Sequence, residues 1–336
     1  KEVARHLGTD HTELYLTPAE AMEIIPGLPE IYDEPFADSS QAPTYIISKL
    51  TRRHETVSLS GDGGDELFCG YRNFHLLHRE WNRIQSLPSL LRRAAGGAAM
   101  APGEEMYDRA LARLSAAMGR GGRRLSSPGD ALRRRAMGMA ARDFKTFYDA
   151  RYYLAFDPGL FMDSPPSPPT VLDDPARDPG LDHAVEKMMY YHLAMYLTDD
   201  VLTKVDRASM AVALEVRVPV LDHRVVEFAW RLPLEMRYRP GESKWLLKKL
   251  LYRYVPRELV DRPKMGFAVP VGEWLRGPLR DWAEDLLDEG KMKTDGILKA
   301  GAVRRAWNTH LEGRVDHERR MWRLLMFQAW REKWLP

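Results

Sequence analysis

The stretch Glu55 to Glu66, "ETVSLSGDGGDE", most constrains what this chain can fold into. Its first half is β-rich and runs straight into Gly61, Gly63 and Gly64, after which "DELFCGYRNFHLLHREWNRI" resumes a helical period. Upstream, "HTELYL" (His11 to Leu16) reads as a short strand. Pro18 suits the first position of a helix capped by Thr17, and "APTYIISKLTRRH" (Ala42 to His54) reads as a second helix, with basic residues in its last turn. The order strand, helix, strand, turn, helix is that of an open parallel α/β sheet. Ligands of such sheets sit at the carboxyl ends of the strands, where Ser60 to Glu66 fall.

Glycines let successive N–H groups converge into an anion-binding nest, and a following helix adds the positive end of its dipole. This turn also carries Asp62, Asp65 and Glu66. A carboxylate beside a phosphate is repelled unless a cation intervenes, and Mg2+ commonly joins one or two carboxylates to phosphate oxygens. The acidic turn therefore points to Mg-ATP. Lys264, in "DRPKMGFAVPVGEWL", is the second chemical candidate. It follows the stiffening Pro263 and precedes Met265-Gly266-Phe267, so it places a point charge in a constrained apolar loop.

Between Ser86 and Gly180, "RRAAGGAAMAPG" and "GRGGRRLSSPGD" read as flexible, and Phe156 to Gly180 is too rich in Pro and Asp for a regular element. The arginines Arg120, Arg123, Arg124, Arg133, Arg134 and Arg135 read as a solvated helix face and loop rather than a patch for an acidic partner. From Leu181 to Val218 the period is helical and dense in Met, Tyr and Leu, as in a buried helical core. Asp199, Asp200, Lys204, Asp206 and Arg207 interrupt it, and Glu215, Arg217 and Asp222 follow in "EVRVPVLDHR". Their spacing suggests ion pairs that fix a turn near a site. "WLLKKLLYRYVPREL" and "LRDWAEDLLDEG" are further amphipathic helices, and "ERRMWRLLMFQAWREKW" is an aromatic-rich helix expected to dock on the core. The domain boundaries expected are 1–85 for the nucleotide-binding sheet, 86–180 for a partly irregular insertion and 181–336 for a helical part.

Totals narrow the function classes. Lys plus Arg exceed Asp plus Glu by two among 336 residues, and the arginines lack interleaved aromatics, which argues against a nucleic-acid partner. The single cysteine, Cys69, excludes an internal disulfide framework and a cysteine-based zinc site. With no apolar run near membrane length and no signal-peptide pattern, the expected localisation is cytoplasmic. The chain opens on Lys1 rather than Met, and "KEVARHLG" already has helical spacing with Gly8 as its stop. This implies a fragment of something longer.

Taken in order, "VSLSGDGGDELFCGY", "YLTDDVLTKVDRASMAVALEVRVPVLDHRVVEF" and "RPKMGFAVPVGEWL" resemble the synthetase domain of glutamine-hydrolysing asparagine synthetases, including variants associated with bacterial exopolysaccharide loci. The resemblance runs from about Lys1 to the C-terminus. It implies an ATP-pyrophosphatase-type α/β fold that adenylates the aspartate side-chain carboxylate, releases pyrophosphate and lets ammonia displace AMP. The ammonia would come through a tunnel from an N-terminal glutaminase domain. The same resemblance implies that Ser60 and Gly61 contact the phosphates, that Asp65 ligates Mg2+, and that Asp62, where the family commonly has Glu, organises the intermediate and accepts a proton from ammonia. Lys264 would bind pyrophosphate, Tyr71 would edge the site, and Asp206, Arg207, Glu215 and Arg217 would brace it.

This chain departs from the pattern in three respects. The family's Ser-Gly-Gly-x-Asp-Ser pyrophosphate loop and its glutaminase domain are not among these residues, so the chain alone is not expected to turn over. "DEPFADSSQAPTY" (Asp33 to Tyr45) lacks the arginine that the family tends to place near aspartate. Amidation of another carboxylate in surface-polysaccharide synthesis and a non-catalytic remnant therefore stand as alternatives. A homodimer is a further expectation.

Overall fold

Thr17 opens the first long helical stretch through a capping box. Its hydroxyl accepts the Glu20 N–H at 3.3 Å, while the Glu20 carboxylate accepts the Thr17 N–H at 2.8 Å. Proline at the next position then begins the helix Pro18–Ile24, where its missing donor costs nothing. The computed structural model describes residues 1–101, 106–107, 110, 128–152, 158–163, 169–261 and 269–335. Within these residues the chain is mostly helical with a small parallel sheet.

The described residues divide into two compact units. One comprises Lys1–Asp33, Asp38–Leu76 and Pro169–Val269; the other comprises Glu34–Ala37, Leu77–Pro168 and Pro270–Pro336. In the first unit strand β1 (Val57–Leu59) pairs in parallel with strand β2 (Glu215–Arg217), matching Val57 to Glu215 and Leu59 to Arg217. The helical reading up to Val218 is therefore corrected. The Thr203–Met210 helix ends, Ala213 takes a left-handed φ of 56°, and the chain leaves as a strand. A second correction falls on His11 to Leu16, which forms no strand among the described residues. Most of that stretch is exposed, and no ladder to it supplies the backbone bonds a strand requires.

Below the ladder a small core joins Leu67, Phe68 and Ala229 to Val220, Leu221 and Leu247. The Ala184–Tyr191 helix buries Ala184, Val185, Met188 and Met189, as expected of a buried helical core. It continues into a wider π-helical stretch, His192–Leu202, with the Thr203 hydroxyl donating to the Thr198 carbonyl at 2.8 Å. Such stretches concentrate at functional sites.

In the second unit, Ser89–Met100 is a helix, which corrects the flexible reading of "RRAAGGAAM". Its Gly96 is a contact residue rather than a breaker: a Cβ there would stand 2.6 Å from the Ala136 carbonyl of the helix Pro128–Ala140. The Glu80 carboxylate accepts both Arg151 Nε and Nη2 at 2.9 Å, and Trp81 packs edge-on to Phe144. The helix Glu318–Trp334 buries Met321, Trp322, Leu324, Leu325 and Met326, so the aromatic tail does dock. Of the arginines read as solvated, Arg134 pairs with Asp130 at 3.0 Å, and Arg120, Arg123 and Arg124 lie outside the described residues. No helix among the described residues is long and apolar enough to cross a membrane.

Candidate active site

The glycine turn starts where the ladder ends. Ser60 N–H donates to the Arg217 carbonyl at 2.9 Å, which carries the pairing one residue past β1. Ser60 Oγ then donates to Asp62 Oδ2 at 2.7 Å, so the serine hydroxyl is tied to the turn's first carboxylate. Gly63 has a φ of +82°, and a Cβ on it would come within 2.2 Å of Leu221 Cδ2. Glycine is required there twice over, for conformation and for space. This contact joins the turn to "VPVLD", two motifs far apart in the chain.

The helix that follows is a single turn, Gly64–Leu67. Its dipole is correspondingly small, so the anion-binding argument from a long helix loses force. Cys69 takes a left-handed φ of 53° and ends that turn, and Arg72–Gln85 begins a new helix. Gly70 N–H returns to the Asp65 carbonyl at 2.8 Å. A Cβ on Gly70 would lie 1.8 Å from Asp65 Oδ1, so the bare glycine gives the carboxylate its position.

Lys244 approaches that carboxylate, with Nζ 3.2 Å from Asp65 Oδ1. It is itself in the left-handed region, at φ 51°, just before the helix Trp245–Leu251. Glu66 is 1% exposed and accepts the Tyr71 hydroxyl at 2.5 Å. Burial holds its carboxyl above the usual range, and the neighbouring Asp65 and Asp62 add to that rise. Burial and the Glu66 charge likewise push the Tyr71 hydroxyl up. Behind it Tyr71 packs edge-on to Phe74 and Tyr196, and lies 5.1 Å from the His192 ring. Burial pushes His192 down to about 3, so this imidazole is neutral at physiological pH. Burial also pushes the Cys69 thiol up to about 12, which leaves it an unreactive core group.

Tyr196 feels burial first, then the charges of Asp200, Asp38, Glu66 and Asp65, all of which push its hydroxyl up. Carboxylates from separate segments therefore surround one aromatic cluster. Asp38 is answered by Lys204, whose Nζ donates at 2.6 Å, and by the Ser40 N–H and hydroxyl at 2.8 Å. Burial alone would raise the Asp38 carboxyl; Lys204 and Ser40 hold it below its usual value instead.

Ser60, Gly61, Asp62, Asp65 and Tyr71 thus share one turn and its flank. Glu215 and Arg217 reach the turn through their backbone, as β2, while their side chains pair with each other at 2.6 Å in solvent. Arg207 pairs with the adjacent Asp206 and, at 3.0 Å, with Asp33; neither Asp206 nor Arg207 bonds to the turn among the described residues. Lys264 lies outside the described residues. Lys244 and the pair Asp38–Lys204 were not anticipated as site groups. The interrupted helical run flagged Lys204 as a charge in an apolar face, whereas no local pattern marks Lys244.

Among the described residues no three His, Cys, Asp or Glu side chains form a metal cage by themselves. Mg2+ does not need one, since it is held through one or two carboxylates with phosphate and water oxygens completing the shell. The turn carries two such carboxylates, Asp62, which accepts from Ser60 Oγ at 2.7 Å, and Asp65, which lies 3.2 Å from Lys244 Nζ.

A parallel ladder running into an acidic glycine turn, in a largely helical chain, defines a helix-rich α/β protein with its candidate site at a strand's carboxyl end. The chain belongs to the asparagine synthase family, whose model matches residues 1–332. It is 29% identical over 330 residues to an asparagine synthetase (glutamine-hydrolysing) 1 of Bacillus subtilis strain 168, covering 98% of this chain and 49% of that protein. A relative from Mycobacterium bovis, provisionally given the same synthetase name, is 32% identical over 317 residues, 92% of this chain and 45% of its own length. The human asparagine synthetase (glutamine-hydrolysing) is 27% identical over 188 residues, 46% of this chain and 32% of its own. The chain spans about half the length of the first two relatives, and no glutaminase domain lies within its 336 residues.

Proposed function

We propose that this chain is the synthetase portion of an ATP-dependent amide ligase. In this reading it has the ATP-pyrophosphatase-type fold and works in the cytoplasm with glutamine-derived ammonia. The observation that carries the reading is the glycine turn at the end of β1, with Ser60, Asp62 and Asp65 on one short loop and Gly70 leaving room for Asp65. Ser60 and Gly61 hold the nucleotide phosphates, and Tyr71 closes the edge of the pocket through its bond to Glu66. Asp65 supplies a carboxylate to Mg2+, which when bound withdraws charge from phosphate oxygens. Lys264 stabilises charge on the departing pyrophosphate. The acceptor carboxylate attacks the α-phosphorus, giving an acyl-AMP; ammonia then attacks the acyl carbon, Asp62 takes a proton from it, and AMP leaves.

Aspartate is the acceptor in the leading form of this reading. A second acceptor, a sugar-linked or other carboxylate, is favoured by the arginine-free segment Asp33 to Tyr45, whose Asp38 is matched to Lys204. Assays of the full-length parent with glutamine and Mg-ATP separate the two. Aspartate-dependent AMP formation supports asparagine synthesis, whereas AMP formation that ignores aspartate and requires an acidic sugar supports the second. No carboxylate-dependent AMP formation from an intact parent contradicts both.

A further inference from the structure

A concave surface of about 230 Å³ lies in the first unit, lined by Arg239, Trp245, Lys248, Lys249, Tyr252 and Arg257 together with Glu242. Trp245, Lys248, Lys249 and Tyr252 follow the spacing i, i+3, i+4, i+7 along the helix Trp245–Leu251 and its cap, so they share one helix face. The other face is accounted for, since Leu246 and Leu247 pack on the core below the glycine turn. The cationic face is therefore not a by-product of an otherwise polar helix.

Charge is unbalanced in this cleft. Arg239 stands over Trp245, its guanidinium carbon 3.5 Å from the ring centroid, and has no ion pair among the described residues. Lys249 likewise pairs with no carboxylate among them. Asp261 serves both Arg257, at 2.5 Å, and Lys248, at 3.9 Å, and also accepts the Tyr252 hydroxyl at 2.6 Å. Four cations thus meet the carboxylates of Glu242 and Asp261, an excess of two positive charges. Like charges held on one concave wall repel one another, and a dianion relieves that repulsion while accepting charge-assisted hydrogen bonds. Aromatic planes beside the cations supply a surface for an organic group.

We infer that this cleft is a binding site for a small phosphate-bearing molecule. The phosphoryl group engages Lys248, Lys249 and Arg257, and the organic part lies against Trp245 and Tyr252. The inference does not depend on the proposed ligase reaction.

Isothermal titration of the 336-residue chain with inorganic phosphate and with glucose 1-phosphate tests it. Saturable binding is expected for both, tighter by at least about fivefold for the sugar phosphate. The double variant Lys248→Ser/Lys249→Ser, with the far-UV spectrum of the parent, should bind at least about tenfold more weakly, and Lys291→Ser/Lys293→Ser, in the second unit, should bind as the parent does. Raising salt from 50 to 500 mM should weaken binding severalfold in the parent. The assignment fails if neither probe binds saturably, or if the double serine variant binds like the parent. It fails equally if Lys291→Ser/Lys293→Ser weakens binding as much as the cleft variant does, which would reduce the effect to overall charge. Equal affinity for the two probes would overturn the role given to the aromatic rings.

Discussion

Gly63 and Leu221 touch so closely that a Cβ on the glycine would stand 2.2 Å from Leu221 Cδ2, on a backbone whose φ is +82°. The site loop is thereby keyed to the segment that follows β2. Gly63→Ala is expected to destabilise the chain by about 2 to 4 kcal/mol, from left-handed strain and overpacking together. Adding Leu221→Ala should return part of that loss by removing the clash but not the strain. Urea unfolding of the singles and the double measures the coupling.

The Asp38–Lys204 pair should behave as a largely buried ion pair, since the two side chains are 19% and 13% exposed. Lys204→Met leaves Asp38 with Ser40 alone and is expected to cost about 3 kcal/mol. Asp38→Asn/Lys204→Met removes the stranded charge, so the double variant should be at least as stable as the single. Because Asp38 is held below its ordinary value, the stability it contributes is present above the ordinary carboxylate range and is lost as pH falls through its depressed value. Equilibrium unfolding at several pH values checks both statements.

His192 should set a pH dependence of the opposite origin. Its imidazole stays neutral down to about 3 when folded and titrates at 6.5 when unfolded. Between those values the unfolded chain binds the extra proton, so folding stability falls as pH drops below 6.5, by about 2 kcal/mol at pH 5. His192→Phe should flatten that slope. Unfolding midpoints at pH 7 and pH 5 for the two proteins give the comparison.

In a catalytically active full-length parent, Asp65→Ala and Lys264→Ala are each expected to lower pyrophosphate release by at least about a hundredfold, the scale of a lost electrostatic contact. Thermal unfolding of the same proteins should show that the folds persist. Activity within a fewfold of the parent would remove these residues from the site.

Much of this was legible where local chemistry decides structure. Thr17 and Pro18 announce their helix because the cap and the first helical position are adjacent, and the structure adds Glu20, which closes a capping box over the same four positions. The glycine turn was legible as well, because Gly63 satisfies a backbone demand. Long-range pairing was not. Glu215–Arg217 is a strand because β1 lies beside it, and nothing in "LEVRV" alone outweighs the preceding helical run. The glycines of "RRAAGG" looked like breakers, yet Gly96 is what lets Ser89–Met100 pack against Ala136 and Ala140. Lys244 meets Asp65 only through the fold, and its sequence surroundings carry no sign of it.

The central claim is that an acceptor carboxylate is activated as an acyl-AMP at the turn Ser60 to Glu66. It is tested most directly by giving the full-length parent aspartate labelled with 18O in its side-chain carboxylate, and then weighing the AMP formed by mass spectrometry. One labelled oxygen in AMP, absent when Asp65→Ala abolishes turnover, is the result predicted. Label recovered in inorganic phosphate with ADP as the nucleotide product would contradict the account.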